Sequence, residues 1–355
     1  MPDSIWNPPQ ALLQDSFSDA GRHTVLVVGA GLHRQLAPSG KHGCDKSAAE
    51  CFGLLSDWNE LITSVASDAN LKSVRHADPA ASWESLVAEK AKRESLQAGV
   101  AEKKLLQAVA AKLKCAQYSK TQIAVLGSLL YERFDDVISL NIDDCVLRAL
   151  QSALGVKPAK VSDGSAKKFK SHLATRYECR LGDKKMRVWF PHGIATKPSN
   201  IILGTRNYGM MLHELNDEFN EMKKWEAKSL PKSGHSASTT KSVHTWKRTA
   251  RAMLQSESSL TWVRLFMVCD LVFMGVGLDR AETDLWWALN QRQRNLARVS
   301  PSVRPHTFYV TVCNGDKHSV RNGTHLVTGP AGIIPVHYGS WDDAWTAVLG
   351  CSLRG

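Results

Sequence analysis

The stretch Thr24-Val25-Leu26-Val27-Val28-Gly29-Ala30-Gly31 decides how the rest of the chain is read. A β-branched and aliphatic run without polar alternation predicts a strand covered on both faces, as in a parallel sheet between helical layers. Glycines in the following turn let the backbone approach a diphosphate, and a helix after the turn would point its N-terminal dipole at the same place. A nucleotide would sit there.

The pattern repeats along the chain. Val137 to Leu140 predicts a strand leading into Asn141-Ile142-Asp143-Asp144 and a helix through Leu150. Met186 to Phe190 predicts another, which delivers Pro191-His192-Gly193. Leu271 to Met274 predicts a third, followed by Gly275-Val276-Gly277-Leu278-Asp279 and a helix over 282–297. Strands over 306–312 and 332–336 and a helix over 341–349 complete the series. Strands alternating with helices predict an α/β fold with an open parallel Rossmann-like sheet flanked by helices, whose ligands bind beyond the carboxyl ends of the strands.

Residues 1–21 read as an N-terminal extension and 22–355 as a nucleotide-binding domain. Helical periodicity over 47–65, with Trp58, Leu61 and Ile62 as core positions, precedes an Ala-, Glu-, Lys- and Leu-rich stretch over 83–116 that predicts one or two long helices. Together they predict a helical insertion over about 66–130. The basic segment 155–185 reads as a surface loop or hairpin, 204–228 as helix, 230–243 as a flexible loop and 246–267 as a single helix.

The 355 residues are 43% hydrophobic, enough for a large core. The first residues lack a basic start followed by an apolar run, so a cytoplasmic location is expected. The longest apolar stretch, 265–278, is interrupted by Asp270 and too short to cross a bilayer, so no membrane span is expected. None of the eight cysteines forms a C-x-x-C pair, so reduced thiols and no metal are expected. A net charge of +11 favours an anionic partner, whether nucleic acid, an acidic protein or a phosphate-rich cofactor. The basic segment lacks interleaved aromatics and reads as a solvated face, which leaves nucleic acid without specific support.

Taken in order, Gly29-Ala30-Gly31, Asn141-Ile142-Asp143, His192-Gly193 and Gly275 to Asp279 resemble the sirtuin superfamily over roughly 22–345. The finer resemblance is to the sirtuin-like NAD-hydrolase domains of bacterial anti-phage defence effectors, through the helix Trp58 to Ile62, the Asn-x-Asp-Asp run and the Gly-x-x-Leu-Asp turn. Protein deacylases of the superfamily carry four zinc-binding cysteines, which this chain lacks. It also departs from the pattern at His33 and Gly277, where serines are usual.

The resemblance implies a hydrolase that cleaves NAD, its substrate, to nicotinamide and ADP-ribose, as a regulated effector depleting NAD. Asn141 would hold water and ribose, Asp143 would contact the carboxamide, and His192 would be the general base. Gly29, Ala30, Gly31, Leu32, Gly193, Gly275, Gly277 and Asp279 would bind NAD. An unperturbed histidine titrates near neutrality, which suits the base role. A homo-oligomer is expected through the helical insertion or the Trp286-Trp287 helix, and a partner such as a HerA-like ATPase or another phage sensor is implied by the resemblance alone.

From the residues themselves other readings stay open. Gly29 to Gly31 fits a plain tight turn, Asn141 a helix cap, and His192 a buried histidine in a turn. An NAD- or ADP-ribose-sensing module without cleavage and an ADP-ribosyltransferase remain alternative functions.

Overall fold

The computed structural model describes residues 8–18, 22–36, 58–72, 76, 78–113, 118–161, 172–229, 243–278, 282–312, 332–351 and 353. Eight strands form one sheet: β1 Thr24–Val28, β2 Asp136–Ser139, β3 Ala159–Val161, β4 Arg176–Leu181, β5 Lys184–Trp189, β6 Asp270–Met274, β7 Thr307–Val312 and β8 Ile334–Tyr338. Their spatial order is β3-β4-β5-β2-β1-β6-β7-β8. From β5 to β8 every pairing is parallel. β3 and β4 add an antiparallel edge. Counted in chain order, the parallel strands lie 3-2-1-4-5-6, the doubly wound nucleotide-binding order whose direction reverses between β1 and β6.

Strand β1 shows why the sheet is buried on both faces. Val25 and Val27 join the core beneath the helices Thr205–Ser229, Val243–Gln255, Trp262–Val268 and Thr283–Leu296, whereas Leu26 and Val28 face Lys120–Arg133, Cys145–Leu154 and Trp341–Leu349. The side-chain period of two sends alternate residues into opposite layers. Trp286 and Trp287 pack against the first of these cores. The helix Pro8–Ser18, inside the segment read as an extension, buries Leu13 in the second core, and Gln10 Nε2 donates to the His337 carbonyl of β8 at 2.6 Å.

A third core belongs to the insertion. Helices Trp58–Asp68, Pro79–Arg93 and Ala98–Leu113 pack on one another and on Ile142, Ala195, Ile201 and Leu203, in the loops after β2 and β5. The insertion thus covers the carboxyl edge of the sheet. The helix Lys120–Arg133, expected within it, joins the sheet face instead.

Two open readings are narrowed and one expectation is corrected. Of the one or two long helices expected over 83–116 there are two, Pro79–Arg93 and Ala98–Leu113, parted at residues 94–97, where Ser95 takes a φ of 53°. The segment 246–267 is not one helix: it parts at Ser256 to Thr261, and Thr261 accepts from the Arg264 amide to cap a new helix. Of the loop or hairpin expected in the basic segment, its later part is a hairpin, in which β4 turns at Gly182 and pairs back on β5. Residues 230–242, most of the expected flexible loop, and 47–57 of the early helix lie outside the described residues, as does Asp279. Among the described residues no helix is long and apolar enough to cross a membrane.

Candidate functional site

The reversal between β1 and β6 brings two glycine turns into contact. The Gly29 amide donates to the Met274 carbonyl at 3.2 Å, and the Gly31 amide to the Gly275 carbonyl at 2.8 Å. A Cβ on Gly31 would lie 2.5 Å from Gly275 Cα, and one on Gly29 2.7 Å from the Gly275 carbonyl oxygen. The mutual approach of the two loops therefore demands these glycines. Ala30 and Leu32 complete the first turn, with the Ala30 carbonyl accepting from His33 and the Leu32 side chain buried below. Gly277 is exposed, with open space where a side chain would be.

Asn141 leaves the end of β2 and reaches the first turn, its Nδ2 donating to the Gly29 carbonyl at 3.0 Å. The capping reading is corrected here, because Asp143 Oδ1 accepts the Cys145 amide at 2.7 Å while Asn141 points away from that helix. Asp143 Oδ2 lies 2.8 Å from His33 Nε2. Burial opposes ionisation of Asp143, yet the His33 ring, the Cys145 amide and Arg148 hold its carboxyl below the usual range. The carboxamide contact implied for Asp143 would need an oxygen now facing His33. Tyr118 stacks on His33, its hydroxyl 3.0 Å from Nδ1, and burial raises its phenol well above the ordinary value. A shallow depression of about 490 Å³, lined by Tyr118, Ile123, Arg148, Gln151 and Ser152, opens beside this group. Neither Asn141 nor His192 lines it.

His192 follows β5, the neighbour of β2. The loop turns on Gly193, at a φ of 82°, where a Cβ would come within 2.0 Å of the Asn200 carbonyl oxygen. The His192 carbonyl accepts from Ile202 at 2.9 Å, and the Ala195 amide donates to Ile142 at 2.5 Å, tying the loops after β2 and β5 together. The His192 ring is 1% exposed, with Nε2 3.0 Å from Oδ2 of Asp284 in the first turn of the helix Thr283–Leu296. Tyr208 meets the ring edge-on at 5.7 Å. Burial disfavours the charged imidazole, but the Asp284 carboxylate outweighs it, with help from Glu282 and the Leu140 carbonyl, and the pKa is pushed up to about 9. The expectation of a histidine titrating near neutrality is corrected by this partner.

The structure thus gathers Gly29, Asn141, Gly193 and Gly275 at the carboxyl edge, with His192 against the carbonyl of Leu140, the residue before Asn141. Sequence reasoning missed the partners Tyr118, Cys145, Asp284 and Glu282. Only His33 carried a signal, as a departure from the expected serine, and an acid in the first turn of a helix gives no hint of a histidine 92 positions away. No family model matches the chain, and no curated protein sequence matches it, so its chemistry rests on this geometry.

Proposed function

We propose that the chain binds NAD where the sheet order reverses and hydrolyses the bond between nicotinamide and ribose. The observation that carries the reading is the hydrogen bond from Asn141 to the Gly29 carbonyl. It joins the amide-bearing loop of β2 to the glycine turn of β1 in a sheet of the nucleotide-binding order, next to the strand that bears His192. In the proposed reaction the C1′–N bond breaks, its electron pair neutralises the pyridinium ring, and water oxygen bonds to C1′. Asn141 would hold the water and ribose through its amide. A water proton would pass to His192 Nδ1, the ring nitrogen away from Asp284, once that nitrogen has lost its own proton and parted from the Leu140 carbonyl. Asn141 and His192 are both covered here, so substrate entry requires the overlying segments to move.

One observation favours a second reading, a module that binds NAD or ADP-ribose without cleaving it. With a pKa of about 9, only about 1% of His192 is neutral at pH 7. Chromatography of NAD after incubation with the purified chain separates the two. Cleavage gives equal nicotinamide and ADP-ribose, lost by about a hundred- to ten-thousandfold in His192→Ala if the base role holds. Unchanged NAD with measurable binding supports the module.

A further inference from the structure

The carboxyl edge also holds a group of three donors, of which the NAD reading uses only Asp143. His33, Asp143 and Cys145 are all buried, and one ligand-capable atom from each lies within 4.8 Å of the other two. His33 Nε2 sits 2.8 Å from Asp143 Oδ2, an ion-pair contact without the alignment of a regular hydrogen bond.

Two of the three donors are held from behind. The Tyr118 hydroxyl lies 3.0 Å from His33 Nδ1, on the far side of the ring. Asp143 Oδ1 takes the Cys145 amide, which turns Oδ2 toward His33. Contacts to the distal ring nitrogen and to the second carboxylate oxygen are the means by which metal ligands are oriented. An imidazole nitrogen, a carboxylate oxygen and a thiol sulfur make a donor set suited to tetrahedral zinc. Bonds of about 2.0–2.3 Å give tetrahedron edges of roughly 3.3–3.8 Å, reachable from the present spacing by side-chain rotation.

We propose that His33, Asp143 and Cys145 form a binding site for zinc or a similar divalent cation, with the fourth position left to water. Spacing in the sequence conceals the site, because it uses one thiol and gathers its histidine from more than a hundred residues away. Burial and the nearby Asp143 charge raise the Cys145 thiol well above its ordinary pKa. A dication reverses that balance, so binding releases the thiol proton to solvent. The site shares Asp143 with the implied carboxamide contact, but neither Asn141 nor His192 is a ligand.

The test is titration of the metal-free full chain with Co²⁺ as a spectroscopic probe. One equivalent should bind with the charge-transfer band of a cobalt–thiolate bond and the strong visible absorption of tetrahedral cobalt. Release of about one proton and displacement by Zn²⁺ should accompany it. Cys145→Ser should lose the band, and His33→Gln should bind at least about tenfold more weakly, so that either variant serves if the other fails to fold. A weak octahedral spectrum, no binding, or a band that survives both substitutions would overturn the site. Binding lost only in Asp284→Asn would do the same by moving the metal to the His192, Glu282 and Asp284 group. NAD cleavage measured in parallel distinguishes failure of this site from failure of the proposed activity.

Discussion

The two ends of the sheet treat buried charge in opposite ways. At the amino ends of the strands, Asp136 opens β2 fully buried with four donors: Arg187 Nε at 2.8 Å and a terminal nitrogen at 2.6 Å, Trp189 Nε1 at 2.8 Å and His23 Nε2 at 2.7 Å. Asp270 opens β6 in the same manner, accepting from Arg22 at 3.3 Å and from the His306 amide at 2.5 Å. At the carboxyl ends, Asp284 bonds His192 through Oδ2 while Oδ1 has no hydrogen bond, and His33 Nε2 meets Asp143 Oδ2 at 2.8 Å without regular hydrogen-bond alignment. Closed networks fix the strand register. At the carboxyl end, Asp284 Oδ1 is a buried polar atom that a ligand would complete.

The largest effect should come from opening a closed network. Asp136→Ala leaves Arg187 buried without its partner and should cost about 3–5 kcal/mol in denaturant unfolding. A loss near that of an exposed ion pair, under about 1 kcal/mol, would mean that the amino end is not what holds the sheet.

The two ends should also respond to opposite pH changes. Burial works against the Asp136 carboxylate, but His23 and Arg187 lower its pKa, so its contribution is present above the unfolded value near 3.9 and is lost as pH falls through the lower folded one. The His192 pKa is raised, so its contribution is complete below the unfolded value of about 6.5 and is lost as pH rises to about 9. That second loss should be about 3 kcal/mol, and Asp284→Asn should flatten it. Unfolding free energies measured from pH 6 to 10 on both proteins check this, and equal slopes would remove the His192–Asp284 pair as the cause.

The smallest stability effect is expected at Asn141. The Gly29 carbonyl it bonds also accepts the Leu32 amide, so Asn141→Ala leaves no orphaned acceptor and should cost about 0.5–1.5 kcal/mol. A loss of several kcal/mol would make Asn141 a structural staple.

Much of this architecture was legible in the sequence, and for physical reasons. Unbroken apolar runs such as Val25 to Val28 occur where both faces of a strand are covered, and the glycines at 29, 31 and 275 stand where two backbones meet. The antiparallel edge was blurred because β4 carries charged residues at Arg176, Glu178 and Arg180 on a half-covered strand. The helix Pro8–Ser18 was hidden because its partner, β8, lies more than 300 residues away. The candidate site was legible only in its strand-end residues. The partners that set its electrostatics, Asp284 for His192 and His33 with Tyr118 for Asp143, meet through folding, and local spacing carries no trace of them.

The central claim is that Asn141 and His192 serve cleavage of NAD at the carboxyl edge. The most direct test is the rate of nicotinamide release against pH for the wild-type chain and Asn141→Ala. A base that must lose a proton with a pKa of about 9 predicts a wild-type rate rising about tenfold per pH unit from pH 6 and levelling near 9. Asn141→Ala should be at least about a hundredfold slower throughout while keeping its thermal midpoint within a few degrees. No nicotinamide release at any pH, or release by Asn141→Ala equal to wild type, would contradict the account.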